Sequence, residues 1–183
     1  MQVRGSVIKS IDSFVADNHG SKYEEWKKGL SAASNLLLSS VSTSNWYPVE
    51  PGVIVPTEVL CDMFYDDKKQ GAWESGRYSA KMGLTGIYKV FVLISSPSFM
   101  LKRASRVIAT FYEPTDLTVA DSSDTSMVIQ FTKLPIKNEL IEYRIAGWME
   151  MALEICGCKN LKVDITKSMA QGNSVFETTI NWD

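Results

Sequence analysis

Histidine is almost missing from this chain, with His19 the only one in 183 residues. A Ser-His-Asp triad would have to be built around it, and a histidine-rich metal site is excluded by number. Cysteine is scarce too. Cys61, Cys156 and Cys158 are an odd number in a chain too large to need covalent staples, which suits a reducing compartment. Cys156 and Cys158 form a C-x-C pair, and no second pair exists to complete a set of zinc ligands. The chain also lacks G-x-x-x-x-G-K-S/T and any G-x-G-x-x-G after a strand, so the common phosphate-cradling loops are absent. Gly83-Leu84-Thr85-Gly86 has no lysine and reads as a joint between helices. No run approaches the roughly 18 apolar residues of a bilayer-spanning helix. Residues Met1 to Ser10 lack the apolar centre and cleavage site of a signal peptide, so a cytoplasmic location is expected. A net charge of −2 gives no electrostatic pull on nucleic acid or an anionic membrane.

What remains is an ordinary globular composition, 45% apolar and 22% charged, long enough for one domain spanning residues 1–183 with a real core. The clearest pattern is at the end of the sequence. Ile141, Ile145, Trp148, Met149, Ala152 and Cys156 recur at three- and four-residue spacing, the mark of one helix face. Glu139, Glu142, Glu150 and Glu154 fall mostly off that stripe, where water would solvate them. Gly157 follows the last periodic residue and suits a left-handed cap. Then Leu161, Val163 and Ile165 alternate with polar neighbours, and so do Phe176, Thr178, Ile180 and Trp182. With Gly172-Asn173 between them, these are the strands of a hairpin whose apolar face packs on the helix stripe.

Earlier in the chain, spacing predicts a helix from Val3 to Asn18. A second is expected to start at Ser21, with Glu24 completing a capping box, and to continue to Leu38. Pro48, Pro51 and Pro56 predict extended chain. A third helix is expected over Thr57–Tyr65 and a fourth over Ala72–Leu84, where Gly76, Ala80 and Gly83 form a small-residue stripe suited to close backbone approach. Ile87–Ile94 and Met100–Phe111, the latter starting after Ser96-Pro97, read as further helices. After Pro114 the period changes to two, and 117–131 reads as another hairpin. Helices and strands thus fall in separate runs. The expected class is α+β: an N-terminal helical half packed on a roughly four-stranded antiparallel sheet backed by a long C-terminal helix.

The order of several short motifs resembles a known superfamily. Ala146-Gly147-Trp148-Met149-Glu150, Cys156-Gly157, Gly172 and a last strand closing at Trp182 are similar to the final segment of the ligand-binding domain of nitric oxide signalling and Golgi transport. That superfamily joins heme nitric-oxide-binding domains, 4-vinyl-reductase-type domains and Golgi tethering subunits. Gly5-Ser6-Val7, Ser44-Asn45-Trp46-Tyr47-Pro48 and Gly86-Ile87-Tyr88-Lys89 resemble a bacterial paralogous family within or near it. The resemblance implies a regulatory or binding role, and often a homodimer. It does not carry heme across, because heme domains of the superfamily use a histidine in mid-chain and a Tyr-x-Ser-x-Arg motif, and Arg77-Tyr78-Ser79 is not that motif.

The expectation is therefore a non-enzymatic cytoplasmic module without heme or other cofactor. It would hold a small apolar ligand between helices and sheet, near Trp73, Phe91, Trp148 and Met149, and report to an unknown protein partner. The alternative is a structural or adaptor homodimer with a filled core, joined through the small-residue stripe of residues 72–84. His19, before Gly20, reads as a helix-end or surface residue, Cys156 as core and Cys158 as partly exposed.

Overall fold

Our computed structural model describes residues 1–84 and 104–183, the side chains of 104–106 excepted. The expected helix over Ile87–Ile94, the start of the one from Met100, and Phe91 lie outside that range, and the described part of the Met100–Phe111 helix is helical at Ala104–Ala109. The class is α+β, as expected. Helix α1 (Gly5–His19) is followed by a 3₁₀ turn, α2 (Tyr23–Gly29) and α3 (Ala32–Ser40). A π-helical turn at Glu50–Ile54 leads into α4 (Val55–Phe64), then α5 (Lys68–Leu84), short α6 (Ala104–Ala109) and long α7 (Glu139–Ile155).

The strands form two antiparallel sheets. A small one has the order β2 (Trp46–Pro48), β1 (Gln2–Arg4), β3 (Tyr112–Glu113). The main sheet comprises β4 (Asp116–Ser122), β5 (Ser126–Lys133), β6 (Lys162–Lys167) and β7 (Phe176–Asn181). Its spatial order is β4-β5-β7-β6, so the last strand in sequence lies inside the sheet. Register sets Met127 opposite Ile180, Ile129 opposite Thr178 and Phe131 opposite Phe176, and all six are buried. Period two puts them on one face. That face packs on α7, where the Thr178 hydroxyl points at Met149 Sδ at 3.8 Å.

Helix α7 is capped at both ends by sequence-legible devices. The Asn138 side chain accepts from the Ile141 N–H at 3.2 Å. Gly157 takes φ +92°, a region open to glycine at little cost. On its other side α7 meets α5 at glycine contact. A Cβ on Gly76 would strike the Arg144 carbonyl, and one on Gly147 would strike that of Trp73. The helices run in the same direction, laced by Lys69–Glu139 at 3.0 Å, Arg77–Glu154 at 2.8 Å and Arg77–Glu150. Gly76 and Ala80 of the small-residue stripe are thus spent inside the molecule, whereas nothing lies within 4 Å of a Cβ added at Gly83. The part against α7 is not free to join two copies, which corrects the dimer surface proposed through it.

Other local expectations shift for identifiable reasons. Val3 belongs to a strand, because its partners Tyr47 and Tyr112 come from distant sequence that local periodicity does not show. The second helix breaks in two: Leu30 is extended, and Ser31 caps α3 by accepting from the Ser34 N–H at 3.1 Å. Ser21 caps nothing. The proline-rich stretch is helical from Glu50, and Pro56 is accommodated in the first turn of α4, where its missing N–H costs no helix bond. Among the described residues no helix is long and apolar enough to cross a membrane.

Candidate binding site at Arg144

Three helices converge where α1, α5 and α7 face the segment after α6. Val7 and Ser10 are one turn apart on α1, and Ser79 comes from α5. Arg144 and Ile145 lie one turn before Trp148 on α7, and Ile108, Phe111 and Tyr112 come from α6, the turn after it and β3. Apart from Ser10, these residues enclose a small void of about 10 Å³, room for one water-sized group. A second void of about 130 Å³ shares Val7, Ser79 and Phe111 with it and extends to Ser10, Thr43, Met82 and Gly83. The walls are largely apolar, and the Phe111 and Trp148 rings lie 5.8 Å apart.

The buried charge at this site is Arg144, only 2% exposed. Its Nη1 donates to the Tyr112 hydroxyl at 3.1 Å and its Nη2 to Ser10 Oγ at 3.0 Å. Ser10 Oγ lies 2.8 Å from Ser79 Oγ and donates to the Val7 carbonyl at 2.6 Å. Among the described residues Nε has no partner and no carboxylate lies within ion-pair distance. Sequence reasoning passed over Arg144, yet the signal was present. Ile141, Arg144, Ile145 and Trp148 are an i, i+3, i+4, i+7 set, so a charge stands inside the apolar stripe.

Of the four residues expected to line a pocket, the structure brings Trp148 to the void. Met149 is one position on and turns to the main sheet. Trp73 lies at the helix edge, donating from Nε1 to Glu150 Oε2 at 2.8 Å beside Tyr143. Phe91 is not among the described residues. The void lies between helices and β3 and not between helices and the main sheet, because Met149, Thr178 and the Phe131–Phe176 pair already fill that layer. Glu142 is also corrected: it is 1% exposed, with Oε1 accepting from the Ala170 N–H at 3.1 Å. The loop after β6 folds over the helix and takes it out of water.

His19 is the last residue of α1, as expected, but it is half-buried and its ring is packed and not free in water. Its ring stacks on Phe64 at 4.1 Å, with the edges of Phe14 and Tyr65 around it, and Nε2 is buried without a partner. It stands about 13 Å along α1 from Ser10, at 1.5 Å per residue. Burial, with Lys22 nearby, holds its pKa below the ordinary value of about 6.5. The unfolded chain therefore takes up this proton first, so the stability linked to His19 is complete above pH 6.5 and is lost as pH falls below it. Urea midpoints should drop between pH 7 and pH 5.5, and a His19→Gln variant should show a smaller drop. Equal drops in the two proteins would remove His19 from the explanation.

The cysteines are also redistributed. Cys158 is buried and Cys156 half-buried, the reverse of the expectation. Burial pushes the Cys61 thiol up to about 12 and the Cys156 thiol up to about 11. Thiols so protonated at neutral pH are poor nucleophiles and poor metal ligands. Among the described residues, no cluster of three or more His, Cys, Asp or Glu is placed to hold a metal ion.

No family model and no curated protein matches this chain. Solved structures do. An H-NOX protein from S. oneidensis in the Fe(II)NO ligation state superposes with a TM-score of 0.75 at 11% identity, covering 98% of this chain and 99% of the other. An Fe(II) unliganded H-NOX protein from K. algicida gives 0.73 at 11%, covering 98% and 96%. A histidine-to-glycine mutant of an H-NOX domain from Shewanella oneidensis, in the Fe(II)CO ligation state, gives 0.72 at 11%, covering 98% of each chain. The expectation of a module without heme is corrected by these comparisons. It rested on an absent mid-chain histidine and an absent Tyr-x-Ser-x-Arg motif, whereas a domain of this fold with a histidine replaced by glycine is described in the Fe(II)CO state. The 4-vinyl-reductase-type and Golgi-tethering branches of the resemblance find no support. Nearly end to end, the fold of this chain is that of the heme nitric-oxide-binding, or H-NOX, proteins.

Proposed function

We propose that the chain is a non-enzymatic regulatory module of the H-NOX type, with heme as its candidate cofactor. The observation that carries this reading is the near end-to-end agreement of fold with H-NOX proteins described with bound iron. The residues at the void agree with such a group in kind. Val7, Ile108, Phe111, Ile145 and Trp148 offer apolar walls, and Arg144 offers a cation to a carboxylate. Tyr112 is the lining side chain of a type known to ligate heme iron. Heme would supply an iron centre for a diatomic ligand, and the chain's own residues would hold it, exclude water and transmit occupancy. The two voids at this site measure about 10 and 130 Å³, less than a heme fills, and residues 85–103 begin one residue after Leu84. Occupancy would reach a protein partner as a population shift.

Hemin titration with an absorption spectrum tests this directly. The expected result is a Soret band that stays with the protein through gel filtration and moves when the reduced sample meets carbon monoxide. A folded Trp148→Ala variant should retain heme about tenfold less well, having lost one wall, which corresponds to about 1.4 kcal/mol. A folded wild-type protein from which all hemin separates on the column would end the heme reading.

A further inference from the structure

We propose that Arg144 is the anion-recognising group of a binding site for a small carboxylic acid, with the carboxylate at the guanidinium and the apolar body in the adjoining void. The inference deepens the reading above by naming the charge of the occupant, and its test contains no iron, so either can fail alone.

An arginine side chain stays protonated in proteins, and a buried one is ordinarily matched by a carboxylate. Arg144 has no such match. Tyr112 and Ser10 are neutral, and Glu142, the buried carboxylate two residues away on α7, is engaged by the Ala170 N–H and forms no ion pair with Arg144. Residues 85–103 contain no Asp or Glu, so that segment holds no counter-ion in its sequence. Two of the five guanidinium N–H bonds are directed at hydroxyls, and Nε is buried with no partner. A buried cation in this condition is a receptor for an anion from solution.

The surroundings define the anion. The void beside Arg144 is about 10 Å³, so as it stands it takes one oxygen of an anion, and the rest of the group must lie toward the adjoining void. One guanidinium balances one negative charge, and its planar fork suits a carboxylate. Tyr112 accepts from Arg144, and among the described residues its own proton has no acceptor. The Ser10 proton is spent on the Val7 carbonyl, so the Ser79 hydroxyl at 2.8 Å donates to Ser10 and helps hold it under the guanidinium. Beyond Ser79, Val7 and Phe111 the second void of about 130 Å³ continues past Met82. That volume suits a compact apolar body.

The test follows thermal unfolding of wild type and Arg144→Met in sodium benzoate, sodium formate and sodium chloride at matched ionic strength. Benzoate should raise the wild-type midpoint saturably, by about 5 °C over chloride, and formate should raise it less because it carries no apolar body. Arg144→Met should show neither rise, and without added carboxylate it should be at least as stable as wild type, since the unmatched charge is gone. Should Arg144→Met not fold, Tyr112→Phe takes its place, with benzoate binding expected about tenfold weaker. The proposal is overturned if wild type shows no saturable rise over chloride, if Arg144→Met responds equally, or if Tyr112→Phe binds benzoate unchanged. Benzoate binding without hemin retention would leave the anion site standing and the heme reading fallen, and the reverse pair would do the opposite.

Discussion

Gly76→Val should leave little folded protein at moderate temperature. The Cβ of any residue at 76 would overlap the Arg144 carbonyl oxygen and come within 2.8 Å of its carbon and 3.0 Å of the Trp148 nitrogen. These are backbone atoms of a capped helix packed against a sheet, so no rotamer change relieves the clash, and α5 and α7 would have to separate. Overpacking of this kind costs roughly 3 kcal/mol or more, which for a chain of this size lowers the midpoint by about 6–12 °C. Gly147→Val, from the other helix, should behave alike, since its Cβ would overlap the Trp73 carbonyl and lie 3.0 Å from Cα. Gly83→Ala is the control: nothing lies within 4 Å of its added Cβ, and alanine is the better helix former, so a gain of up to about 1 kcal/mol is expected. Equal stabilities of the three variants in urea would mean that α5 and α7 do not touch as described.

Phe176→Ala should be the most damaging truncation in the main sheet. Phe176 is fully buried, directly opposite Phe131, with ring centroids 5.1 Å apart. Removing the ring forfeits its burial and leaves a cavity between sheet and helix, a loss of about 3–5 kcal/mol. Phe176→Leu keeps most of the volume and should cost less than about 1.5 kcal/mol. Because the two rings share one cavity, Phe131→Ala with Phe176→Ala should cost less than the sum of the single changes. Additive losses in a urea double-mutant cycle would show that the rings do not act as a pair.

Sequence reasoning succeeded where one local rule governs one element. The stripe of Ile141, Ile145 and Met149, the cap at Gly157 and the alternation in Val163–Ile165 and Phe176–Ile180 each answer to burial of a single face, and the class follows from their order. It failed where distant segments decide. Val3 is a strand residue because Tyr47 and Tyr112 pair with it, and Glu142 is buried because residues 168–171 fold over it. The binding site suffered in the same way. Trp148 was found because large aromatics draw attention, but Arg144, Ser10, Ser79 and Tyr112 come from four parts of the chain and meet only in three dimensions. The heme expectation failed for a different reason, since a missing histidine and a missing short motif were set against a fold shared from end to end.

The position of β7 has a consequence for how the protein is made. It pairs with β5 on one side and β6 on the other, yet it is the last strand in sequence. Strands β4 and β5 can zip together as soon as Lys133 has left the ribosome, but the inner edge of β5 then waits for Phe176. At the usual 5–20 residues per second that wait is roughly 2–9 s. Throughout it, the nascent chain presents Met127, Ile129 and Phe131 along an open edge, a template for the wrong neighbour. Helix α7 is synthesised within that interval and is the segment able to cover the exposed face. A silent codon change that slows translation between Ile155 and Phe176 would lengthen the exposure without altering a single residue.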